Sequence, residues 1–189
     1  MKFLEHTDWE TVFEKWRENE ADDPVWVECA TRIKGWPDWE SWRRFTAIQL
    51  GASQLKWDRY LLEDPAEELP LLFVGPFRGW RERLRRKSGG TFAELMSDPE
   101  QVKFFEQHKK VLGMVAGFPH PTELIAVRRQ DTGELICIEG HHRCAAAALA
   151  QARGRPINFA GPVTLALADL PEDQVQVLEE MLKRGSTRA

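Results

Sequence analysis

The chain has 189 residues with a formal net charge of -4 at pH 7, and its content is 42% hydrophobic and 30% charged. That is enough chain for one substantial core or two small ones, and the net negative charge argues against coating nucleic acid by bulk electrostatics. No apolar run approaches the roughly 20 residues that span a bilayer, and Met1 to His6 lack the apolar stretch of a secretory signal, so neither an integral membrane segment nor export is expected. Cys29, Cys137 and Cys144 are odd in number and carry no metal-binding spacing, which fits reduced thiols in the cytoplasm. Peripheral placement at the inner membrane is the alternative to a cytoplasmic one, although the sequence shows no anchor for it.

All eight tryptophans fall in the first 80 residues, a compositional boundary. A capping box from Thr7 to Glu10, followed by Trp9, Val12, Phe13 and Trp16 at helical spacing, predicts a first helix over 8–19. Pro37 opens a second predicted helix, to about Leu50, in which Trp39, Trp42, Arg43 and Ala47 share a side. Large aromatics at this spacing ordinarily build core or a partner interface; interleaved with Arg43 and Arg44 they are also the ingredients of a stacking platform for single-stranded bases.

Leu69 to Val74 reads as a short buried strand ended by Gly75-Pro76. A basic helix follows: Arg78, Arg81, Arg83, Arg85, Arg86 and Lys87 are offset only by Glu82. Of these, Arg81, Arg83, Arg85, Arg86 and Lys87 are the candidate DNA-backbone contacts, weighed against a merely solvated helix face. Thr91 to Met96 is a short helix, and Asp98-Pro99-Glu100 starts another in which Val102, Phe105, Val111 and Leu112 face inward. Beyond the break at 117–121, a strand at 124–127, a turn at Asp131-Thr132-Gly133 and a second strand at 134–138 deliver the chain to Glu139-Gly140. An Ala-rich helix runs from there to Gly154, a return strand lies near Val163 to Ala166, and a last amphipathic helix spans 171–183 with Val175, Val177, Leu178 and Leu182 inward. The predicted organisation is a Trp-rich helical region over 1–66, an α+β domain over 67–170, and a C-terminal helix and tail over 171–189.

The chemistry concentrates at Glu139-Gly140-His141-His142-Arg143. A strand that turns directly into a helix leaves the first helical N–H groups free to meet an anion. Gly140 gives a phosphate access to the backbone, Arg143 offers a bidentate charge-assisted contact, and His141 and His142 add donors that titrate near neutrality. Glu139, the one carboxylate of the run, is the candidate to hold Mg²⁺ or to orient an attacking water or hydroxyl.

These residues, with His120-Pro121, the strand at 124–127 and the later Arg155-Pro156-Ile157, resemble the ParB/sulfiredoxin superfamily, in which a strand enters a Gly-x-x-Arg turn and an Ala-containing helix. The resemblance covers about residues 69–170, its specific part 120–160. It implies a small mixed sheet packed with helices, with ATP or CTP phosphates held at Gly140, His141, His142 and Arg143. Two departures narrow it. His141 stands where sulfiredoxins carry their catalytic cysteine, and the residues that follow are too few for the helix-turn-helix domain of chromosome-partitioning members. Two branches remain. Plasmid-encoded stand-alone members of the oncogenic-suppression type are associated with fertility inhibition, blocking conjugative or T-DNA transfer, through ATPase and DNase activities; free-serine kinases share an acidic-Gly-His-x-Arg turn. The expectation is therefore an Mg²⁺-dependent ATPase with DNase activity, its catalytic residues Glu139, His141, His142 and Arg143. A small-molecule kinase, or a non-catalytic partner-binding protein with a regulatory nucleotide loop, is the alternative.

Overall fold

A computed structural model of the chain describes residues 1–84 and 90–184. In chain order the elements are β1 (Lys2–Thr7), α1 (Trp9–Glu20), α2 (Pro24–Glu28) continued by a π turn at Cys29–Ile33, α3 (Trp39–Gln49), β2 (Trp57–Leu61), α4 (Pro65–Glu68) and α5 (Arg78–Arg81). They continue with α6 (Phe92–Met96), α7 (Pro99–Phe105), α8 (Lys109–Ala116), β3 (Thr122–Arg129), β4 (Leu135–Glu139), α9 (His141–Ala152), β5 (Val163–Leu170) and α10 (Glu172–Arg184). The class is α+β. Five strands form one mixed sheet in the order β1-β2-β5-β3-β4, with the β3–β5 pair parallel and the other three antiparallel.

Alternation along the strands splits the core between the two faces of this sheet. Leu124, Ala126, Cys137, Leu165 and Leu167 point to one face, against α6, α7, α8 and α9. Ile125, Val127, Ile136, Ile138, Ala166 and Ala168 point to the other, against the tryptophan-bearing α1 and α3 and against α10. The result is a sheet covered by helices on both sides. Cys144 to Ala150 are all buried, so α9 is enclosed around its whole circumference, and its small side chains let it lie close between the sheet and its neighbouring helices.

The boundary at residue 66 is one of composition and not of packing. β1 and β2 extend the same sheet through β5, and Trp57, fully buried, joins the first 66 residues to the C-terminal strands and α10. Trp9, Trp16, Trp39, Trp42 and Trp57 are core, so they do not form an exposed platform; Trp26 and Trp36 are partly buried at its edge.

Several sequence expectations shift. The first helix is capped by Asp8, whose carboxylate accepts from the Thr11 N–H at 2.8 Å, because Thr7 is engaged in β1. The strand expected over 69–74 is a 3-10 turn at Leu69–Leu71, and only Phe73 pairs, bridging Thr91 and Ile136; Pro70, with no N–H, cannot supply a ladder bond. The helix begun at Pro99 breaks at Glu106, and His108 recaps the chain for α8, its Nδ1 3.4 Å from the Val111 N–H. Val177 is 41% exposed, on the outer face of α10.

Because one sheet carries both layers, Trp57→Ala is expected to destabilise the whole chain by about 3–5 kcal/mol. In wild type, tryptophan fluorescence and far-UV circular dichroism should report one coincident urea transition. Two separated transitions would mean that the first 66 residues fold independently.

Candidate functional site

The strand-to-helix turn is set by Gly140, which caps α9 at φ 108° and ψ 11°, a left-handed conformation that favours glycine. A Cβ there would lie 2.4 Å from Leu124 Cδ2 and 2.7 Å from its Cγ, so the packing of β3 itself excludes a side chain at this position. A second close approach supports the first. A Cβ at Gly75 would fall 1.7 Å from the Cys137 carbonyl oxygen, and the Gly75 N–H donates to His141 Nε2 at 3.1 Å.

That bond fixes the role of His141. With Nε2 accepting, the ring proton sits on Nδ1, 3.5 Å from Cys137 Sγ, and the ring packs among Phe77, Trp80 and Phe92. Burial holds its pKa well below the usual histidine value, helped by the proximity of His142 and the charge of Arg43. His141 therefore anchors the turn and is not the pH-dependent donor the sequence suggested. His142 lies between Trp80, Trp26 and His108, at ring-centroid distances of 5.1, 5.9 and 5.3 Å. Its pKa is pushed down to about 3, first by burial and then by Lys110, His108 and the nearby arginines. Both imidazoles are neutral at pH 7.

Arg143 does not extend from the helix start as a free phosphate contact. Its guanidinium donates to the Glu123 carbonyl at 2.8 Å, to Thr122 Oγ1 and to the Glu139 carboxylate. It ties α9 to β3 and β4. Glu139 is thereby oriented, and burial raises its pKa against the opposing pull of Arg143, the combination expected of a carboxylate that exchanges protons.

The turn opens into a cavity of about 420 Å³ bounded by the N-terminal helices. Glu139, Gly140, His141, His142 and Arg143 line one side; Trp16, Trp26 and Trp42, with Phe77 and Trp80, supply aromatic walls. Buried among them is an ion pair that the sequence reading did not single out as functional: Arg43 meets Glu20 at 2.7 Å, Trp39 Nε1 donates to the same carboxylate at 3.1 Å, and the guanidinium lies 4.0 Å from the Trp42 ring centroid. The signal was present as an arginine on the apolar side of a Trp-rich helix, but its partner is 23 residues away.

The basic cluster disperses. Arg81 bonds the carbonyls of Leu182 at 3.1 Å and Val74 at 3.3 Å, holding α5 against α10. Arg83 lies 3.4 Å over the Phe104 ring. Neither is set out as a DNA track, because both serve packing; Arg85, Arg86 and Lys87 lie outside the described residues. Among the described residues no group of three or more His, Cys, Asp or Glu side chains is arranged to hold a metal, and no helix is long and apolar enough to cross a membrane.

No protein-family model, no curated protein and no solved structure matches the chain.

The buried histidines give the fold a pH dependence. Unfolded histidine takes up a proton near pH 6.5, whereas the folded His142 ring stays neutral until about pH 3. The unfolded state therefore binds more protons, and stability should fall as pH drops below about 6.5, with a limiting slope of about 1.4 kcal/mol per pH unit for each ring. Glu139, whose folded pKa is raised, acts in the opposite sense, so the histidine contribution is read as a difference. His142→Gln should flatten the stability profile between pH 7 and 5 measured by urea denaturation; an unchanged slope would show that the ring is not held neutral.

Proposed function

We propose that the chain binds a nucleoside triphosphate at the Gly140 turn and catalyses phosphate-bond chemistry there, with Glu139 as the proton-exchanging group. The observation that carries this reading is the coincidence of three features in one cavity: the open start of α9, an oriented buried carboxylate, and aromatic walls within a volume of about 420 Å³. Pockets of this size commonly enclose a small organic ligand, apolar on its flanks and fixed by a few polar groups. The N–H groups of the first α9 turn suit phosphate oxygens, and the aromatic rings suit a base. The resemblance to the ParB/sulfiredoxin superfamily points the same way.

In this reading Glu139 accepts the proton of the attacking oxygen as its bond to the terminal phosphorus forms and the bridging P–O bond breaks. Arg143 keeps the carboxylate in place and, by its charge, ionised enough to act as a base. Fit to Mg²⁺ is limited to Glu139 itself, since the carboxylate is shared with Arg143 and a divalent ion would complete its shell from the phosphates and water. When bound, that ion would neutralise charge developing on the phosphate oxygens.

The acceptor distinguishes an ATPase with DNase activity from a small-molecule kinase. The cavity volume suits water or a small hydroxyl compound as acceptor, and the engagement of Arg81 with carbonyls and of Arg83 with a ring face takes support from a DNA track along that segment. Nuclease action and the fertility-inhibition role it would serve rest on the resemblance and on residues 85–87.

Phosphate release from ATP and CTP with Mg²⁺ is expected from wild type and should fall by roughly 100-fold or more in Glu139→Gln. Added DNA that is cut in a Glu139-dependent manner would establish the nuclease branch, and a phosphorylated small hydroxyl compound the kinase branch. Equal turnover in the two proteins, or none with either nucleotide, would refute the catalytic reading.

A further inference from the structure

Among the described residues, five cationic side chains line the cavity: Lys34, Arg43, Arg78, Lys110 and Arg143. Three are committed. Arg43 is paired with buried Glu20, Arg143 with Glu139, and Arg78 with Glu82 at 2.6 Å. Arg143 already donates to three acceptors, Arg43 gives one N–H to Glu20 and holds its Nε buried among indoles without a partner, and the histidines at this end are neutral. Among the described residues, Lys34 and Lys110 are the lining cations for which no carboxylate partner is described, Arg78 and Glu82 being an exposed pair.

The two lysines sit on different elements. Lys34 follows the π turn at Cys29–Ile33, and its charge acts on Cys29. Lys110 stands in the first turn of α8, its Nζ 4.3 Å from the Trp26 ring centroid. The same indole lies 5.9 Å from the His142 ring, and His142 is the second residue of α9. The ammonium is thus held beside the Gly140 turn by an aromatic face alone, with no ion pair described for it. An ammonium on a flexible four-carbon stem exchanges a ring face for phosphate oxygens readily, as a planar guanidinium locked in a buried pair does not.

We propose that Lys110 is the phosphate-neutralising cation of this cavity, resting on Trp26 in the free protein and turning to the phosphates of a bound nucleotide. It lies in a segment the sequence reading treated only as helix. The inference rests on the nucleotide reading above and adds to it the residue that would set affinity for the charged end of the ligand. Removal of the lysine should weaken a triphosphate far more than a nucleoside, because the aromatic walls are untouched.

The test is isothermal titration calorimetry of the full chain with ATP, Mg²⁺ and, separately, adenosine, using wild type, Lys110→Ala, Lys110→Arg and Lys109→Ala. Lys109 is the adjacent exposed residue, absent from the cavity wall, and its loss makes the same change in net charge. Lys110→Ala is expected to bind ATP about 10-fold more weakly, roughly 1.4 kcal/mol, with adenosine unaffected. Lys110→Arg should keep most of the ATP affinity and Lys109→Ala all of it, and thermal melts should show the four proteins equally folded. Wild-type affinity for ATP in Lys110→Ala, or an equal loss in Lys109→Ala, would overturn the role of Lys110 while leaving the nucleotide reading intact. Failure of wild type to bind ATP would overturn both.

Discussion

The site depends on one buried cation and the acceptors it gathers. Arg143 reaches from the first turn of α9 to Thr122 Oγ1 and the Glu123 carbonyl on β3 and to the Glu139 carboxylate at the end of β4. Three elements are pinned at one point. Taking such a group out of water is costly unless every donor finds a partner, and removing one partner would leave an uncompensated buried charge. The arrangement converts an otherwise ordinary strand-to-helix turn into a rigid one. Gly140 permits the reversal, Leu124 fills the space where a side chain would stand, and His141 receives the Gly75 N–H from the loop that crosses β4. The carboxylate of Glu139 is left oriented at the cavity, with its pKa raised by burial.

The sheet explains why a cavity exists there at all. The two N-terminal strands lie together at one edge of the sheet, and β5, the last strand in the chain, joins them to β3 and β4 by lying between β2 and β3. The Trp-rich helices consequently cover the face opposite α9, and their edge overhangs the Gly140 turn. Trp26, Trp42 and Phe77 line it as walls, while Trp9 and Trp57 lie in the core and Trp39 donates from the core to the Glu20 carboxylate. A second buried pair, Arg43 with Glu20, stands beside the first: a guanidinium held among indoles, giving one N–H to a carboxylate while its Nε finds no partner. Two such pairs in one cavity wall keep it polar without leaving a strong net charge on either partner, which places the burden of meeting an anion on the lysines.

Local signals made much of this legible in the sequence. The apolar spacing of Trp9, Val12, Phe13 and Trp16, the continuous apolar run from Leu124 to Val127, the turn at Gly133 and the alanine run after Gly140 all correspond to elements that form where expected. β1 and β2 were illegible, since Lys2 to Thr7 is exposed along nearly its whole length and Trp57 to Leu61 carries Asp58 and Arg59 mid-strand. Their stability comes from pairing with distant segments, which no local pattern encodes. The same applies to the site. The Glu139 to Arg143 run was visible, but the engagement of Arg143 by β3, the occupation of His141 by Gly75 and the approach of Lys110 to Trp26 are long-range facts. A row of arginines from 78 to 83 likewise looks like a DNA contact until the fold assigns Arg81 to carbonyls and Arg83 to an aromatic face.

The most direct measurement is the change in backbone amide resonances of isotopically labelled protein on addition of ATP. The account predicts that the largest shifts fall on His141, His142 and Arg143, at the start of α9, with side-chain changes at Trp26. No shift, or shifts confined to surfaces remote from the Gly140 turn, would contradict the claim that this cavity is a nucleotide site.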